Sequence, residues 1–135
     1  MNTGRFLGAA LAVWIVRSIL NGIFYTQVVG GQFQELSAAH PGMFREVIPG
    51  FIATDLIFAV VFAFLFVKVG AALGGGLKAG VILGVLVAIL SPVIGNLYHY
   101  FSVTYMSADL ATTDPIFQVI AHAIEGAVAG LVYKR

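Results

Sequence analysis

The sequence predicts an all-α fold, an integral membrane bundle of four transmembrane helices. Three observations predict it. Four apolar runs, at 6–25, 48–69, 79–100 and 115–133, reach or approach the roughly 20 residues that a hydrocarbon core demands. Of the 135 residues, 60% are hydrophobic and 10% charged, with mean hydropathy +0.99. A soluble domain carries roughly a quarter charged residues, and one core cannot bury this much apolar surface. Lysine and arginine also gather on one side of the runs, as in a threaded membrane protein.

The first run follows Arg5, as a signal peptide would, but it continues past Arg17 and no A-x-A-like cleavage site follows. It is expected to stay as a helix. Residues 26–47 form a longer polar loop with Gly30-Gly31 and the Pro41-Gly42 turn signal. Within it, GQFQELSAA reads either as a short interfacial helix or as irregular loop. The second run opens at Pro49 and closes at Lys68; residues 70–78, GAALGGGLK, are a tight link. Pro92 deprives the Ala88 carbonyl of its helical donor, so the third run should kink there. Residues 101–114 end in TTDP, which predicts Thr113 or Asp114 as cap of the fourth helix with Pro115 at its first position.

Arg5, Lys68, Lys78, Lys134 and Arg135 lie on one side of the runs, and Arg45 alone on the other with Glu35, Glu46, Asp109 and Asp114. This asymmetry predicts both termini in the cytoplasm. A net charge of +1 offers nothing to nucleic acid, and the absence of cysteine excludes disulfides, thiolate metal sites and a cysteine nucleophile. The expected partners are the lipid bilayer and either a larger membrane complex or further copies of the chain.

Two consecutive helix pairs match one another. Setting Asn21 over Asn96 aligns NGIFY with NLYHY; setting Pro49 over Pro115 aligns PGF with PIF and FLFVK with GLVYK. The halves run in the same direction, unlike the inverted repeats of many transporters. The first helix ending near NGIFY, the Gly-rich link, GVILGVLVAILSPVIGN and HAIEGAVAGLVYK together resemble small bacterial four-helix inner-membrane proteins classed as a domain of unknown function. The resemblance implies a four-helix membrane fold in the inner membrane and brings no activity or cofactor with it.

Arg17 and Asn21 interrupt LAVWIVRSILNG, and an unreceived guanidinium inside a bilayer costs several kcal/mol. At about 1.5 Å per residue from the outer helix ends, Arg17 lies about 12 Å deep, Asp55 about 9 Å, His122 about 10 Å and Glu125 about 15 Å. Asn96 lies about 8 Å and His99 about 3 Å deep by the same rise. Trp14, Arg17, Ser18, Asn21 and Tyr25 share one stripe, and Gln118, His122, Glu125 and Ala129 share another. These residues predict a buried polar cluster of Arg17, Asn21, Asp55, Asn96, His99, His122 and Glu125, with Arg17 received by Asp55 or Glu125. Gly80, Gly84, Gly95, Gly126 and Gly130 predict close packing of the third and fourth helices.

Three functions remain open on these residues. One is a structural or accessory subunit whose ion pair fixes helix register. Another is a small proton- or ion-coupled transporter working as an oligomer, with Asp55, Glu125 and His122 as a relay. The third is an intramembrane metal site on His122, Glu125 and Asp55, or haem between His99 and His122. No G-x-S-x-G, phosphate loop or HExxH is present, and an enzyme is the weaker expectation.

Overall fold

A computed structural model describes residues 2–45 and 47–133; Glu46, Lys134 and Arg135, which entered the charge asymmetry, lie outside the described residues. The fold is all-α, with four helices long and apolar enough to cross a membrane: Thr3–Val28, Ile48–Val69, Gly76–Ser102 and Ala108–Val132. The first comprises α1 (Thr3–Ile23) and a π-helical turn, Phe24–Val28. Asn2 caps α1, its side chain accepting from the Arg5 N–H at 3.0 Å. In the polar loop, GQFQELSAA falls within α2 (Gly30–Ala39), so the helical reading of that stretch holds. The second span is α3 (Ile48–Val69), with Pro49 in its first turn, where the missing N–H costs nothing.

Gly74, Gly75 and Gly76 turn the chain with φ of 96°, 72° and 60°, a region closed to most side chains. The third span then runs as α4 (Gly76–Ala88), a π-helical turn Ile89–Val93 and α5 (Ile94–Ser102). Pro92 sits inside that π turn, and the wider turn is the form its kink takes.

The fourth span, α6 (Ala108–Val132), corrects the expected start at Pro115. Ser107 is the cap, its hydroxyl accepting from the Leu110 N–H at 3.2 Å. Leu110 and Ala111 are buried, so packing carries the helix upstream of the proline. Pro115 then lies within the helix, and the Asp114 side chain is free for other work.

α6 is the most buried span and the hub of the bundle. It packs closely on α4 and on α1, and α1 packs on α3. The α4–α6 seam is backbone against backbone. Gly80 meets the Gly126 carbonyl and Gly84 the His122 carbonyl, while Gly126 and Gly130 face the carbonyls of Gly80 and Gly76. A methyl group at any of the four would overlap those atoms. Where lipid is as apolar as the side chains, such close approach is the main source of attraction between helices. Gly95, by contrast, has nothing within 4 Å of a methyl built on it and stands off the seam.

Val13, Ala59, Phe62 and Ala63 fill the core between α1 and α3, while Leu7, Leu11, Ile15, Ile19 and Ile23 leave an exposed apolar stripe on α1. The Asn2 N–H donates to the Tyr133 hydroxyl at 3.3 Å, so the two ends of the described chain meet at one end of the bundle, here the terminal end. α2 and the 103–107 loop lie at the other, distal end.

Candidate functional site

Polar side chains of α6 form a ladder along one face: Asp114, Gln118, His122 and Glu125, all buried. Two separate clusters are built on it.

The deeper cluster centres on Arg17. Its Nε donates to Asp55 Oδ1 at 2.8 Å, and its Nη1 donates to Glu125 at 3.2 Å and 3.4 Å. The guanidinium thus joins α1 to both α3 and α6. Glu125 is fully buried, and Arg17 and Asp55 each keep 14% of their side chains exposed. Asn21 Nδ2 donates to Asp55 Oδ1 at 3.2 Å, and Ser18 Oγ to Asp55 Oδ2 at 3.4 Å. The Phe58 ring lies 3.8 Å from the guanidinium carbon and closes its open face by a cation–π contact. Trp14 Nε1 donates to the Ile52 carbonyl at 3.1 Å and ties α1 to α3 one turn away. Buried charge is tolerated where, as here, pairing and hydrogen bonds replace water.

His122 adjoins this cluster without a hydrogen bond into it. Its Nδ1 lies 2.8 Å from the Gln118 carbonyl and 4.0 Å from Glu125. A carbonyl only accepts, so Nδ1 carries the proton. Its Nε2, like Asn21 Oδ1, is buried without a hydrogen-bond partner. The ring stands edge-to-face with Phe58, centroids 5.0 Å apart.

The second cluster lies at the distal end around Asp114. Tyr25, in the first π turn, donates its hydroxyl to Asp114; Asn96 Nδ2 donates to the other carboxylate oxygen at 2.9 Å. Gln118 Nε2 donates to the Tyr25 hydroxyl at 3.0 Å and orients it. Asn96 Oδ1 has no hydrogen-bond partner. Beside this group lies a cavity of about 470 Å³, reached by both π turns through Tyr25 and Pro92. A smaller cavity, about 290 Å³, sits at the terminal end among Phe66, the link glycines and Tyr133.

Arg17, Asn21, Asp55 and Glu125 therefore meet, with His122 adjoining them. Asn96 and His99 do not join them: Asn96 binds Asp114, and His99 Nε2 lies 2.9 Å from the Tyr105 hydroxyl, exposed at the cavity rim. His99 and His122 consequently share no site, and no group of three or more His, Cys, Asp or Glu side chains among the described residues is arranged to hold a metal. Sequence reasoning read Thr113 or Asp114 as the helix cap and left Tyr25 and Gln118 as stripe members. The signal was available in the spacing: Asp114 lies one helical repeat before Gln118 on the same face. Treating Pro115 as the helix start hid it.

The chain matches no protein-family model, no curated protein and no solved structure, so what stands is an all-α fold of four membrane-length helices around a buried Arg–Glu–His cluster.

Proposed function

We propose that this chain is a structural or accessory subunit of a membrane assembly, with the Arg17 cluster holding three spans in register. The observation that carries this reading is Arg17 bridging Asp55 on α3 and the fully buried Glu125 on α6. The guanidinium's Nε and Nη1 both donate to carboxylates of its own chain, as a registry device would. The lysine and arginine asymmetry supports a cytoplasmic terminal end, and the resemblance in NGIFY and HAIEGAVAGLVYK supports a bacterial inner membrane. The sequence matches of NGIFY with NLYHY and of FLFVK with GLVYK support a parallel two-pair repeat.

Extraction in gentle detergent followed by native mass spectrometry tests the proposal. A species containing this chain with a larger membrane protein at fixed stoichiometry is expected. A lone chain or homo-oligomer that carries protons or ions in proteoliposomes, and stops when Asp55 or Glu125 is neutralised, would establish the transporter reading instead. That second reading draws on one observation: Arg17 faces two carboxylates, leaving an acidic excess deep in the bundle.

A further inference from the structure

We propose that the distal cavity is a binding site for an organic ammonium group, with Asp114 as its counter-ion. This goes beyond the register-fixing role, which uses neither Asp114 nor the cavity.

The first ground is charge. Asp114 is 9% exposed, and no Lys, Arg or His among the described residues forms an ion pair with it. It receives hydrogen bonds from Tyr25 and Asn96, with Gln118 holding Tyr25 in place. Those neutral donors shape a carboxylate, yet they leave its charge unanswered in a setting of low dielectric, where a cation within reach is strongly attracted. Asn96, which also lines the cavity, turns its amide nitrogen to Asp114, and its Oδ1 is buried out of reach of the cavity. The polar floor thus presents a carboxylate. An anion is repelled there, and a cation is matched.

The second ground is the set of aromatic side chains that share the cavity with Asp114. Tyr25, Phe33, Phe44, Tyr105 and His99 line the cavity in an unbroken chain of edge-to-face rings. Successive centroids lie 6.0, 6.2, 6.3 and 5.5 Å apart, with interplanar angles of 65°, 89°, 88° and 69°. These rings come from the first π turn, α2, the loop after it, the 103–107 loop and α5. A ring that lines a cavity can offer its face to an ammonium, which the quadrupole of that face attracts. A bare metal ion does not fit this lining, which is mostly carbon; a cavity of about 470 Å³ suits an organic cation.

Ammonium chemistry has two sources, a soluble amine or the headgroup of an ethanolamine or choline lipid. Binding is measured by calorimetry on the full chain, delipidated in detergent, with benzyltrimethylammonium chloride as probe and its neutral carbon isostere and sodium chloride as controls. Saturable binding of the ammonium alone is expected. Asp114→Asn should weaken it at least about tenfold, and Tyr105→Leu about fivefold, as loss of one cation–π face implies. Equal binding of the neutral isostere, or unchanged affinity in folded Asp114→Asn, overturns the proposal. If Asp114→Asn does not fold, the rim variants Tyr105→Leu and Phe44→Leu decide, and unchanged affinity in both overturns it. Nanodiscs distinguish the sources. Probe binding in phosphatidylglycerol discs that is lost in phosphatidylethanolamine discs assigns the site to the headgroup, and equal binding in both assigns it to a soluble amine.

Discussion

The two polar clusters on α6 use the same kinds of side chain and end in different states. Around Glu125 the acids meet a guanidinium, an aromatic ring closes over it, and amide and hydroxyl donors complete the set. Around Asp114 the donors are all neutral, and one side lies open to a cavity walled by rings. A charge answered within the chain holds helices together. A charge left for something else to answer offers a place to bind. The backbone marks the same division: α1 and α4 are regular where they carry the deep cluster and the glycine seam, and both π turns lie beside the cavity. Such turns often accompany functional sites because they re-aim side chains that a regular helix would point elsewhere.

The largest expected effect tests the closure of the deep cluster. Arg17→Leu strands two carboxylates and should destabilise the fold by about 3–5 kcal/mol, read from reversible unfolding in mixed micelles. Adding Asp55→Asn or Glu125→Gln should each restore part of the loss, and the triple variant most of it, because the guanidinium touches both acids. A neutral Arg17→Leu, or coupling to neither acid, removes the idea that the charge is answered within the chain.

Next comes the seam beneath that cluster. Gly84→Ala and Gly126→Ala place a methyl on a facing backbone and should each cost about 1–3 kcal/mol in the same assay. Gly95→Ala, in open space, should cost nothing measurable. If all three behave alike, close helix contact is not what holds α4 to α6.

A smaller effect is expected at the open cluster. Asp114→Asn keeps an oxygen to accept from Tyr25, and Asn96 can turn its amide oxygen to the new NH2, so stability should fall by about 1 kcal/mol while loss of the charge removes ammonium binding. A loss as large as that of Arg17→Leu would erase the contrast between the clusters. The smallest effect belongs to His99→Phe. This exposed rim residue is apart from Arg17, and its replacement should shift stability by less than about 0.5 kcal/mol.

Much of this arrangement is legible in the residues. Membrane-length runs, an arginine too deep for water to reach and glycines at helical spacing state their needs plainly, since lipid leaves few ways to meet them. Depth along a helix could not choose between Asp55 and Glu125, and the geometry uses both. What sequence could not follow is the register beyond Ile89. A π turn adds a residue to the helical repeat and rotates everything downstream by roughly 100°. Gly80, Gly84 and Ala88 lie before it and stay buried; Gly95 lies beyond it and leaves the seam it was read on, and His99 leaves the polar cluster it was read in. Asn96 is carried with them to Asp114 rather than to Arg17. Asp114 itself was hidden by a proline whose usual place is the first turn of a helix. Ser107, further upstream, takes the capping role.

The placing of the acids along the chain also sets a timetable for biogenesis. Arg17 on α1 and Asp55 on α3 belong to the first hairpin to leave the ribosome, and that pair is electrically neutral by itself. Glu125 emerges last, on a helix, Ala108–Val132, that contains no lysine or arginine. The early hairpin therefore settles in lipid with its charge already cancelled, and it presents a guanidinium whose Nη1 is still unused. That waiting donor gives the late segment a reason to enter beside α1, where the glycines of α4 can then close against it.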